Sequence, residues 1–120
     1  MTQINEEHLR YGRHTKIYLI EEDYGFLCYK LCTDENVEID DIEIKEEMRG
    51  KGYGTILFKK LLSKFARDNF RPVIVFVWTK SDNIVAQKFY EKLGFIKCGE
   101  AGDNWIYWNY LKVFLDKYNL

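Results

Sequence analysis

A charged, glycine-rich segment, Arg49-Gly50-Lys51-Gly52-Tyr53-Gly54, separates a run that reads as a strand from one that reads as an amphipathic helix. This junction constrains the chain more than any other feature. The first turn of a helix carries N–H groups with no intrahelical partner, and the helix dipole favours negative charge beside them. Glycines at 50, 52 and 54 let the backbone approach an anion without Cβ atoms in the way. Arg49 and Lys51 add positive charge. The segment is built as a phosphate cradle. It is neither a GxxxxGK[ST] loop nor the GxGxxG dinucleotide fingerprint, because its glycines are spaced G-x-G-x-G.

The elements around the cradle follow from periodicity. Lys16 to Glu21 and Phe26 to Leu31 read as two strands of a hairpin across Glu22-Asp23-Tyr24-Gly25, and Val37 to Ile44 as a third strand. The first 13 residues are polar without a clear period and read as a short, partly ordered arm. After the cradle, Ile56, Leu57, Phe58, Leu61, Leu62 and Phe65 recur at helical spacing, which predicts a helix from about Gly52 to Asp68. Pro72 opens the continuous apolar run Val73 to Trp78, as expected for a strand covered on both faces.

A second helix starts near Ser81-Asp82-Asn83, capped by Asp82 or Ser81, with Val85, Ala86, Phe89, Tyr90 and Leu93 as its buried stripe and Gly94 as its left-handed end. Phe95 to Cys98 and Trp105 to Tyr110 read as strands around a turn at Glu100 to Asn104. Leu111, Phe114, Leu115 and Tyr118 are spaced for a short terminal helix. The order β-β-β-α-β-α-β-β predicts an α/β (α+β) domain with a mixed sheet, whose first crossover makes a right-handed parallel step.

Composition narrows the function classes. The chain has 120 residues, 47% of them hydrophobic and 31% charged, with one proline, which fits one globular domain spanning 1–120 and excludes a disordered chain. Eighteen basic and 19 acidic residues leave a net charge of −1, which argues against non-specific nucleic-acid binding. The longest apolar run is far too short to span a membrane. The N-terminus shows no apolar signal region, and Cys28, Cys32 and Cys98 form no metal-ligand spacing. Reduced thiols, a cytoplasmic location and no metal are the expectation.

Two segments together resemble the Gcn5-related N-acetyltransferase (GNAT) superfamily. Arg49 to Gly54 matches Q/R-x-x-G-x-G/A, that superfamily's pyrophosphate-binding motif. Asn83-Ile-Val-Ala86-Gln-Lys-Phe-Tyr90-Glu-Lys-Leu-Gly94-Phe95 resembles its second motif, N-x-x-A-x-x-F-Y-x-x-x-G-F. The resemblance covers residues 16 to 110 and implies a mostly antiparallel central sheet with helices on both faces. It also implies acetyl-CoA as cosubstrate, in a cleft where two neighbouring strands splay apart. Backbone N–H groups from Arg49 through Gly50, Lys51, Gly52, Tyr53 and Gly54 to Thr55 would hold the pyrophosphate. Ile42 and Ile44 would offer a strand edge to the pantetheine arm, and Asn83 would contact that arm. Tyr90 matches the tyrosine that protonates the departing thiolate.

The implied reaction is acetyl transfer to a primary amine by direct attack on the thioester. An amine of pKa about 10.4 is mostly protonated at pH 7, so a carboxylate must take its proton. The third strand carries Glu38, Asp40, Asp41 and Glu43. Strand alternation places Glu38 and Asp40 on one face and Asp41 and Glu43 on the other, unless a bulge intervenes. By distance from the glycine motif, Asp40 is similar to the acid of polyamine acetyltransferases and Glu38 to the base of histone acetyltransferases. Asp40 is favoured, then Glu38. The acidic strand suits a cationic acceptor, either a small amine or a protein lysine or N-terminus. Family members usually carry helices before the hairpin that wall the acceptor site, and this chain is too short there to hold them. A non-catalytic acyl-CoA-binding module is the alternative, as is a partner-dependent protein that forms a homodimer through the aromatic region Trp105 to Tyr118.

Overall fold

The structure, a computed structural model, describes residues 3–8, 16–32, 35–68 and 72–120. Strands β1 (Gln3–His8), β2 (Lys16–Glu22), β3 (Gly25–Leu31) and β4 (Asn36–Ile44) come first. A 3₁₀ turn (Glu46–Met48) then leads into helix α1 (Tyr53–Arg67). Strand β5 (Ile74–Lys80), helix α2 (Ile84–Leu93), strands β6 (Ile96–Ala101) and β7 (Asn104–Tyr110), and helix α3 (Leu111–Lys117) complete the chain. The strands form a seven-stranded sheet in the order β1-β2-β3-β4-β5-β7-β6. Among the described residues, only β4 and β5 pair in parallel.

The predicted order holds from the hairpin onward, and β1 is a correction to it. Gln3 to His8 pair antiparallel with Lys16 to Glu21, where the polar arm was expected. QINEEH carries no alternation of its own, and its pairing is dictated by the apolar neighbour β2. The rest of that arm, residues 1–2 and 9–13, lies outside the described residues.

Helix α1 buries Leu57, Phe58, Leu61, Leu62 and Phe65. They meet Ile20, Leu27, Tyr29, Val37, Ile39, Val75 and Val77 from the sheet, Tyr90 and Leu93 from α2, and Leu111 and Phe114 from α3 in one cluster. Each such side chain contributes roughly 1.5–3 kcal/mol by leaving water. Rings key α1 to α3 and to the sheet: Phe58 packs edge-on to Phe114 at 5.1 Å, and Phe65 to Tyr29 of β3 at 5.7 Å.

All three helices therefore cover one face of the sheet, which differs from the expectation of helices on both. The steps from β4 to β5 and from β5 to β6 run in the same direction across the sheet. Right-handed crossovers in one direction put both helices on the same side. The other face carries no helix among the described residues. Its register rows hold Phe26, Cys28 and Lys30 of β3, Phe76 and Trp78 of β5, and Ile106 and Trp108 of β7. Trp78 is 43% exposed and Ile96 58%. The run Val73 to Trp78 is thus covered on one face only, through Val75 and Val77.

Candidate active site

Strand β4 makes the site by changing its phase midway. Tyr29 of β3 lies opposite Ile39, but Cys28 lies opposite Asp41, so Asp40 is an extra residue in a bulge. Before the bulge, Val37 and Ile39 face the helices. After it, Ile42 pairs with Leu27 and faces them too, while Asp41 and Glu43 turn to the open side with Cys28 and Phe26. The simple alternation read from the sequence is corrected there: Asp41 shares the open face with Glu38.

The bulge also coincides with the splitting of the sheet. β4 pairs with β5 only from Asn36↔Ile74 to Ile39↔Val77. Beyond it, β4 continues to Ile44 without that partner, while β5 stays on β7 as far as Lys80. A cleft of about 500 Å³ occupies this side of the fork. Its walls include Ile42 and Ile44 from β4, the glycine turn, and Asn83, Phe89 and Tyr90 from the α2 segment.

The glycine turn has the shape of an anion cradle. Gly50 and Gly52 sit at φ +76° and +86°, and a Cβ at either would meet no atom within 4 Å. The left-handed backbone, not crowding, is what calls for glycine at these two positions. Gly52 is the N-cap of α1 and supplies no side-chain cap, and the first bond of the helix runs from Ile56 N–H to the Gly52 carbonyl at 3.2 Å. The N–H groups of the first helical turn, before Ile56, are the donors that a helix start leaves over. Gly54 serves packing instead. A Cβ there would lie 2.8 Å from Phe89 Cζ, so the bare backbone lets α2 approach α1.

Arg49 Nε donates to the Ile44 carbonyl at 2.9 Å, and its Nη2 lies 3.8 Å from a Glu43 carboxylate oxygen. The side chain thereby ties the end of β4 to the cradle. Tyr53 stacks on Tyr24 of the β2–β3 turn with centroids 4.2 Å apart, bracing the cradle from the other side.

Tyr90 is 8% exposed and packs against Phe95 and Tyr107 at 5.7 and 6.4 Å. Burial, and then the negative charge of Asp41, push its phenol up to about 12. It is a protonated hydroxyl at neutral pH. The Asp41 carboxyl is itself raised above the usual carboxylate range by desolvation and then by Glu43, against a hydrogen bond from the Ile42 backbone.

Of the residues singled out in the sequence, Ile42, Ile44, Arg49, Gly50, Gly52, Tyr53, Gly54, Thr55, Asn83 and Tyr90 meet at this cleft. Lys51 does not line it. Glu38 and Asp40 stand apart on the open face, where Lys30 Nζ lies 3.4 Å from one and 3.5 Å from the other. The cap of α2 is Asn83, not Asp82 or Ser81: its Oδ1 accepts from Ala86 N–H at 3.1 Å. Val85, read as core, is 82% exposed beside the cleft, and Gln87 is buried in its place by donating to the carbonyls of Lys80 and Ser81. Met48, Phe89 and Lys92 also line the cleft. Phe89 was legible as an apolar position, but nothing in its spacing distinguished cleft from core.

Known proteins share this architecture. The structure resembles the PaiA N-acetyltransferase of Thermoplasma acidophilum, solved with coenzyme A, at a TM-score of 0.68 and 20% identity over 78% of this chain and 59% of that one. It resembles a mutant form of the spermidine/spermine N-acetyltransferase SpeG of Vibrio cholerae at 0.68 and 18% identity, over 90% and 71%. Ard1 of Thermoplasma volcanium matches at 0.63 and 22% identity, over 80% and 69%. The chain thus spans about 59% of the length of the first of these relatives. At these identities the likeness shows the fold. The model of the acetyltransferase (GNAT) family matches residues 2–95, and the chain belongs to that family.

Proposed function

We propose that this protein is an acetyl-CoA-dependent N-acetyltransferase that acts on a primary amine. The observation that carries the reading is the convergence of a glycine cradle, a free β4 edge and a buried, protonated Tyr90 on one cleft at a fork in the sheet. The cradle fits a pyrophosphate, because its two left-handed glycines leave open space beside the spare N–H donors of α1. Residues from Arg49 to Thr55 would hold that group, with Lys51 contributing charge from outside the lining. Ile42 and Ile44 would pair with the pantetheine arm and Asn83 would contact it.

Acetyl-CoA supplies the acyl group as a thioester. The Tyr90 hydroxyl holds a proton within the cleft for the leaving thiolate, whose pKa is about 8.5. The amine proton goes to the acidic strand, where Asp40 and Glu38 are the candidates read from the sequence. The amine arrives on the open face, where the carboxylates of β4 favour a cationic acceptor. A small amine and a protein lysine or N-terminus both meet that description.

The cradle is tested by acetyl-CoA titration of Gly52→Asp. The substitution puts a negative side chain and a strained left-handed backbone against the pyrophosphate, and affinity should fall at least about tenfold, a loss of about 1.4 kcal/mol. Unchanged affinity in a folded variant would remove the loop from the site.

A further inference from the structure

Building on the acetyltransferase reading, we infer that the acceptor is a lysine within an extended polypeptide. The bare ring face of β5, β7 and β6 selects it by gripping large apolar residues about two to four positions from that lysine. Val75, Val77, Tyr107 and Asn109 turn to the helices. Phe76 and Trp78 of β5, and Ile106, Trp108 and Tyr110 of β7, therefore turn to the other side with Ile96 of β6. Their cross-strand rows are Ile74↔Tyr110, Phe76↔Trp108↔Ile96 and Trp78↔Ile106↔Gly99, and none holds a charged residue. Trp108 packs edge-on to Tyr110 at 4.9 Å, which holds the rings in place. Trp78, Tyr110 and Ile96 still keep 43%, 48% and 58% of their surface in water.

The size of this patch decides what covers it. Three strands about 4.8 Å apart and five residues of rise make a footprint of about 14 Å by about 17 Å, roughly 240 Å². A stable contact between folded proteins buries about 800 Å² per partner, about three times as much. A second copy would also bring the same carboxylates to the contact. A single extended segment fits, anchored by a few apolar side chains on the rings.

Charge decides the chemistry of the segment. Along the middle row, ring gives way to carboxylate at the β4–β5 pair Glu38↔Phe76. Beyond it Glu38, Asp40, Asp41, Glu43 and Glu21 outnumber Lys30 and Arg49, and Lys30 Nζ is shared between Glu38 and Asp40 at 3.4 and 3.5 Å. A cavity of about 540 Å³ sinks into this half, with Phe26, Asp41 and Glu43 in its wall. It shares Glu43, Ile44 and Arg49 with the cleft, so the acidic half is continuous with the place of transfer. A polyamine would meet the carboxylates and leave the rings bare. A basic polypeptide with apolar residues meets both.

The fork lies between the acidic half and the ring half. A segment resting on both carries its amine in mid-chain, as lysine does and a terminus does not. The four-carbon stem lets the backbone stay on the face while the ammonium drops into the fork. From the fork to β6 is two and a half strand spacings, about 12 Å, or about four residues of extended chain. Transfer turns lysine ammonium and acetyl-CoA into acetyl-lysine, coenzyme A thiol and one proton. The N–C bond forms at Nζ as the C–S bond breaks.

The test measures kcat/KM on N-terminally blocked peptides with one lysine, carrying either Phe or Gly about three positions to each side of it. Wild type should prefer the Phe peptide at least about tenfold, the gain expected from burying one large apolar side chain. Trp78→Ser should shrink that preference to within about threefold and bind acetyl-CoA as wild type does. Val113→Ser, exposed on α3 at the helix side, should keep the preference. Equal rates on the Phe and Gly peptides overturn the inference, and so does an undiminished preference in Trp78→Ser. A higher kcat/KM on spermidine, or on a lysine-free peptide with an open N-terminus, than on the Phe peptide also overturns it. A wild-type dimer in sedimentation that Trp78→Ser dissociates does the same, because a second copy then holds the rings. The wild-type peptide comparison needs no variant, so a misfolded Trp78→Ser leaves it decisive. If wild type binds acetyl-CoA but acetylates no amine, the acetyltransferase reading fails and this inference with it; turnover on amines without a preference for Phe sinks the inference alone.

Discussion

The two faces of the sheet are built from similar residues and held in different ways. The helix face closes over Phe58, Leu61, Tyr107 and Phe114, all fully buried. The open face is also aromatic, with Phe26, Phe76, Trp78 and Trp108 in its rows, yet Trp78 is 43% exposed. It interleaves these rings with the carboxylates of β4. The covered face is closed by packing, and the open one leaves large side chains in water. The fork between β4 and β5 is the place where one communicates with the other.

Substitutions on the two faces should diverge accordingly. The largest effect is expected for Phe58→Ala, which removes a ring packed on Phe95 and Phe114 and should cost about 3–5 kcal/mol in denaturant unfolding. A cost below about 1 kcal/mol would deny the helix face its role. A smaller effect lies in alkaline stability. Tyr90 and Tyr107 both have phenols pushed up to about 12 from an ordinary 10.0, the first mainly by burial, the second by burial and its bond to Glu91 at 3.0 Å. A raised folded value means the stabilisation is intact below about pH 10 and is lost as pH climbs from there towards about 12. Melting curves over that window should show a decline that Tyr107→Phe makes shallower. The smallest effect is expected for Trp78→Ser on the open face, within about 1 kcal/mol of wild type, because most surface changes are small. A large destabilisation would mean that the open face is packed after all.

Much of this was legible in the sequence, for reasons that also explain what was not. The stripe Leu57, Phe58, Leu61, Leu62 and Phe65 announces α1 because burial and helical period coincide there. The cradle is legible because two of its glycines meet a backbone demand that no other residue satisfies as easily. Strand β1 was not, since a polar strand owes its existence to its neighbour's register. Val85 and Gln87 exchanged roles because a cleft exposes an apolar position that periodicity assigns to the core. The facing of Asp41 stayed open for the same kind of reason. A bulge is an event between two strands, and no spacing within β4 alone records which residue is the extra one.

The central claim is that the cleft at the fork transfers acetyl groups to amines. It is tested most directly by measuring coenzyme A release from acetyl-CoA, with wild type and Tyr90→Phe, against spermidine, an aminoglycoside, amino acids and a lysine peptide, with an amine-free control. Wild type should release coenzyme A in an amine-dependent way with at least one acceptor class. Tyr90→Phe should lose at least about tenfold in turnover while still binding acetyl-CoA, as expected for removal of a general acid. Silence from a folded protein that binds acetyl-CoA would contradict the account, as would a Tyr90→Phe enzyme as fast as wild type.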